Sequence, residues 1–84
     1  MSDAWVDILR CADGSLYTGW TVDLERRLAS HLAGDGSRYT RSRLPVELVA
    51  SFAMADASAA RREEARIKRL SRAAKLALIG RRRS

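Results

Sequence analysis

Four side chains in this 84-residue sequence are of the types from which phosphodiester chemistry is built: Tyr17, Arg27, His31 and a carboxylate from the pair Glu63-Glu64. Hydrolysis of a phosphodiester needs a base for water, a cation or metal on the non-bridging oxygens, and help for the leaving group. One carboxylate can hold Mg²⁺, which keeps most of its waters and takes further oxygens from phosphate. An arginine adds planar donors, and a tyrosine serves as base only where positive charge surrounds it. On spacing alone the bland reading is the stronger one: Tyr17 packs a sheet and Arg27 is a solvated helical residue. Other chemistries drop out. The sequence has no glycine-rich phosphate loop and no nucleophile elbow. His31 is the single histidine and Cys11 the single cysteine, so neither a zinc finger nor an internal disulfide can form. Cys11 has no evident activating partner and reads as core or rim.

The elements that must position these residues follow from local pattern. Residues 5–11 read as a strand through Trp5, Val6, Ile8, Leu9 and Cys11. Ala12-Asp13-Gly14 suits a three-residue hairpin loop closed by a left-handed glycine. That loop pairs Cys11 with Ser15, Leu9 with Tyr17 and Asp7 with Gly19, placing Asp7, Leu9, Tyr17 and Gly19 on one face. Thr21 is expected to cap a helix whose first turn carries Asp23 and Glu25, with Leu24, Leu28 and Leu32 as its buried stripe. Arg27 and His31 lie one turn apart beside that stripe. Residues 34–45 read as a loop, 46–54 as a third strand, and 56–70 as a helix with Ala60, Ile67 and Leu70 inward. Ser71 restarts a short helix over 71–79. The fold class is α/β (α+β), ordered β-β-α-β-α-α, as one domain over 1–80 with a basic tail at 81–84.

Eighty-four residues leave room for one core, with only about 60% of the unfolded surface buried. No apolar run approaches the ~18 residues of a membrane span, and the N-terminus lacks a secretory pattern. An intracellular, metal-poor fold is the bland expectation. The net charge of +6 favours polyanions. Fourteen of the sixteen basic residues are arginine and fourteen residues are alanine, a joint bias that also accompanies GC-rich genomes, so charge alone decides little.

The run "ADGSLYTGWTVDLERRLASH", then "GDGSRYTRSRLPVELV", then "REEARIKRLSRAAKLALI" resembles a GIY-YIG nuclease domain across residues 5–79. It is especially similar to the small stand-alone, YhbQ-like bacterial branch. The resemblance implies a three-stranded antiparallel sheet flanked by helices and a metal-dependent endonuclease that cleaves DNA. Tyr17 matches the second signature tyrosine, which activates water, and Gly19 the glycine that leaves the phosphate room. Arg27 matches the phosphate-binding arginine and His31 an assisting histidine. Glu64 is the expected metal ligand, with Glu63 the alternative, for Mg²⁺ or Mn²⁺. Lys68 and the loop Tyr39-Thr40-Arg41 are secondary candidates, for phosphate contact or site shaping. The implied partner is double-stranded or branched DNA, as in repair, in a cytoplasmic, nucleoid-associated setting. A homodimer or a partner would add affinity to so small a contact surface.

One departure stands out. The first signature tripeptide should end in tyrosine, and "WVDI" offers Asp7 instead. Asp7 then reads as a second metal ligand or alternative base, as a tolerated change, or as the mark of a degraded site that still binds nucleic acid. A bare buried carboxylate costs several kcal/mol, so Arg27, Arg10 or a metal is expected beside it. The alternative function is therefore a non-catalytic nucleic-acid-binding module, with a protein-interaction domain as a third class. Trp20 reads as packing rather than base stacking, and Arg61-Arg62 as solvated charge.

Overall fold

The computed structural model describes residues 3–83. Strands β1 (Ala4–Arg10), β2 (Leu16–Thr21) and β3 (Glu47–Met54) form an antiparallel sheet in the order β2-β1-β3. Helix α1 (Leu24–Leu32) follows β2. A one-turn helix α2 (Arg38–Arg41) precedes β3, and α3 (Ala57–Lys68) and α4 (Arg72–Arg83) close the chain.

The hairpin is built as its residues dictate. Cys11 N–H donates to the Ser15 carbonyl at 2.9 Å, and Gly14 takes φ +85°, a conformation glycine adopts without a Cβ penalty. The resulting register pairs Leu9 with Tyr17 and Asp7 with Gly19. On one sheet face Ala4, Val6, Ile8 and Ala50 pack against Ala60, Ile67 and Ile79 of α3 and α4. On the other, Leu9 packs with Tyr17, Leu48 and Leu28 of α1. A bulge in β3 opposite Ile8 and Leu9 lets the consecutive residues Val49 and Ala50 both join the α3/α4 side and turns Leu48 to the α1 side.

Four expectations are corrected. The cap of α1 is Asp23, adjacent to the first helical residue, whose carboxylate accepts from Arg26 N–H at 3.1 Å; the Thr21 hydroxyl instead accepts from Asp23 N–H. Leu32 is 54% exposed, and His31 takes the buried position. Helical geometry explains this: seven residues on from Leu24 returns to within about 20° of its direction, whereas eight lies about 80° away. The 34–45 segment contains α2, capped by Ser37, whose hydroxyl accepts from Thr40 N–H at 3.2 Å. Finally, α4 runs through Gly80 to Arg83, so residues 81–83 extend a helix where a separate tail was expected; Ser84 lies outside the described residues. Ser71 does cap α4, accepting from Ala74 N–H at 3.1 Å.

The fold rests on the α3–sheet contact, where Ile67 is fully buried. Ile67→Ala should lower unfolding free energy by about 2–5 kcal/mol, checked by urea denaturation.

Candidate active site

The sheet's β2 edge gathers the chemistry. Asp7 of β1 and Gly19 of β2 face each other across the ladder, and Arg27 of α1 lies over both. Its Nε donates to Asp7 Oδ2 at 2.6 Å. A Cβ at Gly19 would overlap the Arg27 Nη2 and Cζ atoms, so the glycine makes room for the arginine itself, where the sequence reading had it making room for a phosphate. Asp7 is 1% exposed, walled by Leu9, Leu24, Leu28 and Leu48. Asp7 Oδ1 and Arg27 Nη2 are buried without hydrogen-bond partners. Burial pushes the Asp7 carboxyl above its ordinary 3.8; Arg27 opposes this and the Glu64 charge adds to it.

His31 is held from two directions. Its Nδ1 lies 2.8 Å from the Thr40 hydroxyl of α2, and a side chain at Gly36 would overlap its ring. Burial, then the Arg27 charge, pulls its pKa below 6.5, which keeps the imidazole neutral at neutral pH. The ring sits 5.7 Å from the Tyr17 ring. Tyr17 is also stacked on Tyr39 at 5.5 Å and lies 5.9 Å from the Arg27 guanidinium. Arg43 completes the stack, 3.8 Å over the Tyr39 ring, while donating to Asp13 in the β1–β2 loop and to the Tyr39 carbonyl. Adjacent residues of α2 thus reach two candidate residues at once. Gly36 and Arg43 are the contributors that sequence reasoning missed, whereas Thr40 belonged to the loop expected to shape the site. "GDGSRYTRSR" carried turn signals, and only the Ser37 cap pointed to a helical turn.

The two glutamates separate. Glu63 is bound twice by Arg66, at 2.6 and 2.9 Å, which holds it below its ordinary 4.5. Glu64 meets Lys68 only at a long 3.7 Å, and it is the glutamate whose charge acts on Asp7. Trp20 packs against the main core with the Arg61 guanidinium 5.9 Å from its ring, as packing rather than an open stacking face. Arg41 and Lys68 are exposed.

A divalent ion can be tested against this donor set. Among the described residues no three histidine, cysteine, aspartate or glutamate side chains form a cage. Glu64, with its side chain 21% exposed and loosely paired, suits an ion that takes one carboxylate and otherwise waters and phosphate oxygens. Asp7, the other candidate ligand, gives its Oδ2 to Arg27, while its Oδ1 is buried with no hydrogen-bond partner.

The GIY-YIG catalytic domain family model matches residues 4–77. The chain belongs to the GIY-YIG family. A UPF0213 protein of Natronomonas pharaonis is 51% identical over 78 residues, covering 93% of this chain and 92% of that protein. One of Halobacterium salinarum is 52% identical over 74 residues, covering 88% and 96%. The solution NMR structure of the UPF0213 protein BH0048 from Bacillus halodurans has a TM-score of 0.60 at 45% identity, covering 92% of this chain and 82% of that one. As a GIY-YIG domain the chain carries a nuclease fold whose family generally depends on divalent metal and acts on nucleic acid. No described helix is long and apolar enough to cross a membrane.

The depressed His31 pKa fixes a pH dependence. Below 6.5 the unfolded chain takes a proton that the folded state resists, so this contribution to stability is lost on acidification. Asp7 acts oppositely, since the folded state holds its proton to higher pH than the unfolded chain. The stability advantage of wild type over His31→Gln should therefore shrink from about pH 7.5 to about pH 5 in urea titrations. A constant difference would contradict a neutral buried imidazole.

Proposed function

We propose that this protein is a metal-dependent endonuclease that hydrolyses DNA phosphodiesters at the β2 edge. The observation that carries the reading is the meeting there of Arg27 and His31 of α1 with Tyr17 of β2, beside an Asp7 carboxyl on which the Glu64 charge of α3 acts. Arg27 receives the scissile phosphate, since a guanidinium matches phosphate oxygens with planar donors. Glu64 would hold the divalent ion, Mg²⁺ or Mn²⁺, in preference to Glu63, which Arg66 already occupies. A bound ion polarises the phosphoryl oxygens and lowers the pKa of bound water. Tyr17 orients the attacking water through a hydrogen bond, and the Tyr39 and His31 rings hold the phenol in place. His31, neutral and anchored to Thr40, positions Tyr17 rather than contributing a charge. Arg41 and Lys68, exposed on α2 and α3, supply backbone contacts that carry no sequence information. Both duplex and branched DNA are candidate substrates, repair being the setting that would present them.

A second reading is favoured by one specific observation: the phosphate arginine is already paired with a carboxylate where the family's first tyrosine belongs. In that reading the domain binds nucleic acid without cleaving it. Nicking of supercoiled plasmid and cleavage of a branched oligonucleotide, with Mg²⁺, Mn²⁺ or chelator, separate the two. The nuclease reading expects cleavage that chelator abolishes. Glu64→Ala and Arg27→Ala should each slow it about 100-fold or more, and Tyr17→Phe about 10- to 100-fold. Salt-sensitive binding without metal-dependent product would establish the binding module instead.

A further inference from the structure

We propose that Asp7 is a positioning residue that aims the Arg27 guanidinium at the phosphate. The inference rests on the reading of Arg27 as the phosphate contact and deepens it.

Arginine has a long side chain whose ordering forfeits much rotamer freedom. A helix-borne arginine free to sample its rotamers would lose that freedom each time substrate bound. Here the folded protein has already fixed the group. Nε is tied to Asp7 Oδ2 at 2.6 Å, and Nη2 lies buried against Gly19, which has no side chain to displace it. The two fixing points lie on neighbouring strands in direct register, so a rigid two-strand cradle sets the plane of the guanidinium. Nε is bonded to Asp7 and Nη2 is buried without a partner, so the 18% of the side chain that stays exposed is what a phosphate would meet from outside. The apolar walls around Asp7 exclude competing water and strengthen the hold. In place of the family's tyrosine, a carboxylate thus makes a direct charge-assisted hydrogen bond to the arginine, shorter than a typical neutral one. Asp7 touches neither metal nor substrate in this account; it acts through Arg27.

The opposite role makes different predictions. If Asp7 instead competed with phosphate for Arg27, removing its charge would tighten DNA binding. The test uses the full chain and two readouts that need no cleavage: binding of a short DNA duplex in chelator, and the Arg27 Nε–H resonance in nitrogen-15-edited NMR of the free protein. Asp7→Asn keeps the shape and an oxygen able to accept from Nε. Asp7→Ala removes the acceptor, and Gly19→Ala dislodges the guanidinium from the other strand, independently of Asp7. We expect wild type and Asp7→Asn to show a resolved, slowly exchanging Nε–H. Asp7→Ala and Gly19→Ala should lose that signal and bind DNA about tenfold more weakly. Asp7→Asn should recover most of the binding lost in Asp7→Ala. Binding by Asp7→Ala equal to or tighter than wild type, or by Asp7→Asn tighter than wild type, overturns the proposal, as does an unchanged Nε–H in Asp7→Ala. If Asp7→Ala fails to fold, Gly19→Ala and Asp7→Asn decide in the same way. Should wild type itself not bind DNA, the nuclease reading fails separately, and the Nε–H pattern alone still supports or refutes the positioning role.

Discussion

The bond from Arg27 Nε to Asp7 Oδ2 links the two halves of the molecule that must act together. It joins α1 to the sheet through the one charged side chain buried in the middle of β1. Both partners are held in low-dielectric surroundings, where a lone charge is expensive and a paired one is strongly oriented. The geometry tolerates little change. A one-residue slip in the β1–β2 register would turn Asp7 to the α3/α4 side and bring a side chain opposite it in place of Gly19. The three-residue loop closed by Gly14 excludes that slip, so a turn at one end of the hairpin determines where the arginine rests at the other.

From this anchor the rest of the candidate site follows in layers. Tyr17, two residues before Gly19, projects from the same face of β2 and meets Arg27 from one side and Tyr39 from another. The α2 turn serves as a buttress whose consecutive residues reach Tyr17 and His31. Arg43 then ties that buttress to the hairpin loop through Asp13. From the opposite face, α3 lies along β2 and brings Glu64 close enough for its charge to act on Asp7. An edge strand with a helix on each face is where groups from both layers can converge on one ligand.

Much of this was legible in the sequence, for identifiable reasons. The hairpin register could be read because loop length and a left-handed glycine fix it locally, and the register put Asp7, Tyr17 and Gly19 on one face. An acidic residue breaking a strand pattern pointed correctly to an arginine partner. What escaped depended on rotation or on distant contacts. Leu32 looked like the third member of a stripe, yet helical drift exposes it and buries His31. Thr21 and Asp23 are both good caps, and proximity to Leu24 decided between them. Residues 38–41 are too few to show a period, so α2 was invisible apart from Ser37. Glu63 and Glu64 could not be told apart by local pattern, and the structure pairs Glu63 closely with Arg66 while Glu64 meets Lys68 only at 3.7 Å. Gly19 was singled out correctly, but its neighbour is the arginine that would meet the phosphate.

In the proposed function a divalent ion and a phosphate meet at the β2 edge, between Glu64 and the fixed Arg27. The most direct test is paramagnetic broadening of backbone amide signals on titration with Mn²⁺ in the presence of a short DNA duplex. Broadening is expected to centre on residues near Glu64 and on Gly19 of β2, to be reversed by excess Mg²⁺ and to be absent in Glu64→Ala. Broadening spread over the surface acidic residues, or centred on Glu63 and unchanged in Glu64→Ala, would contradict it.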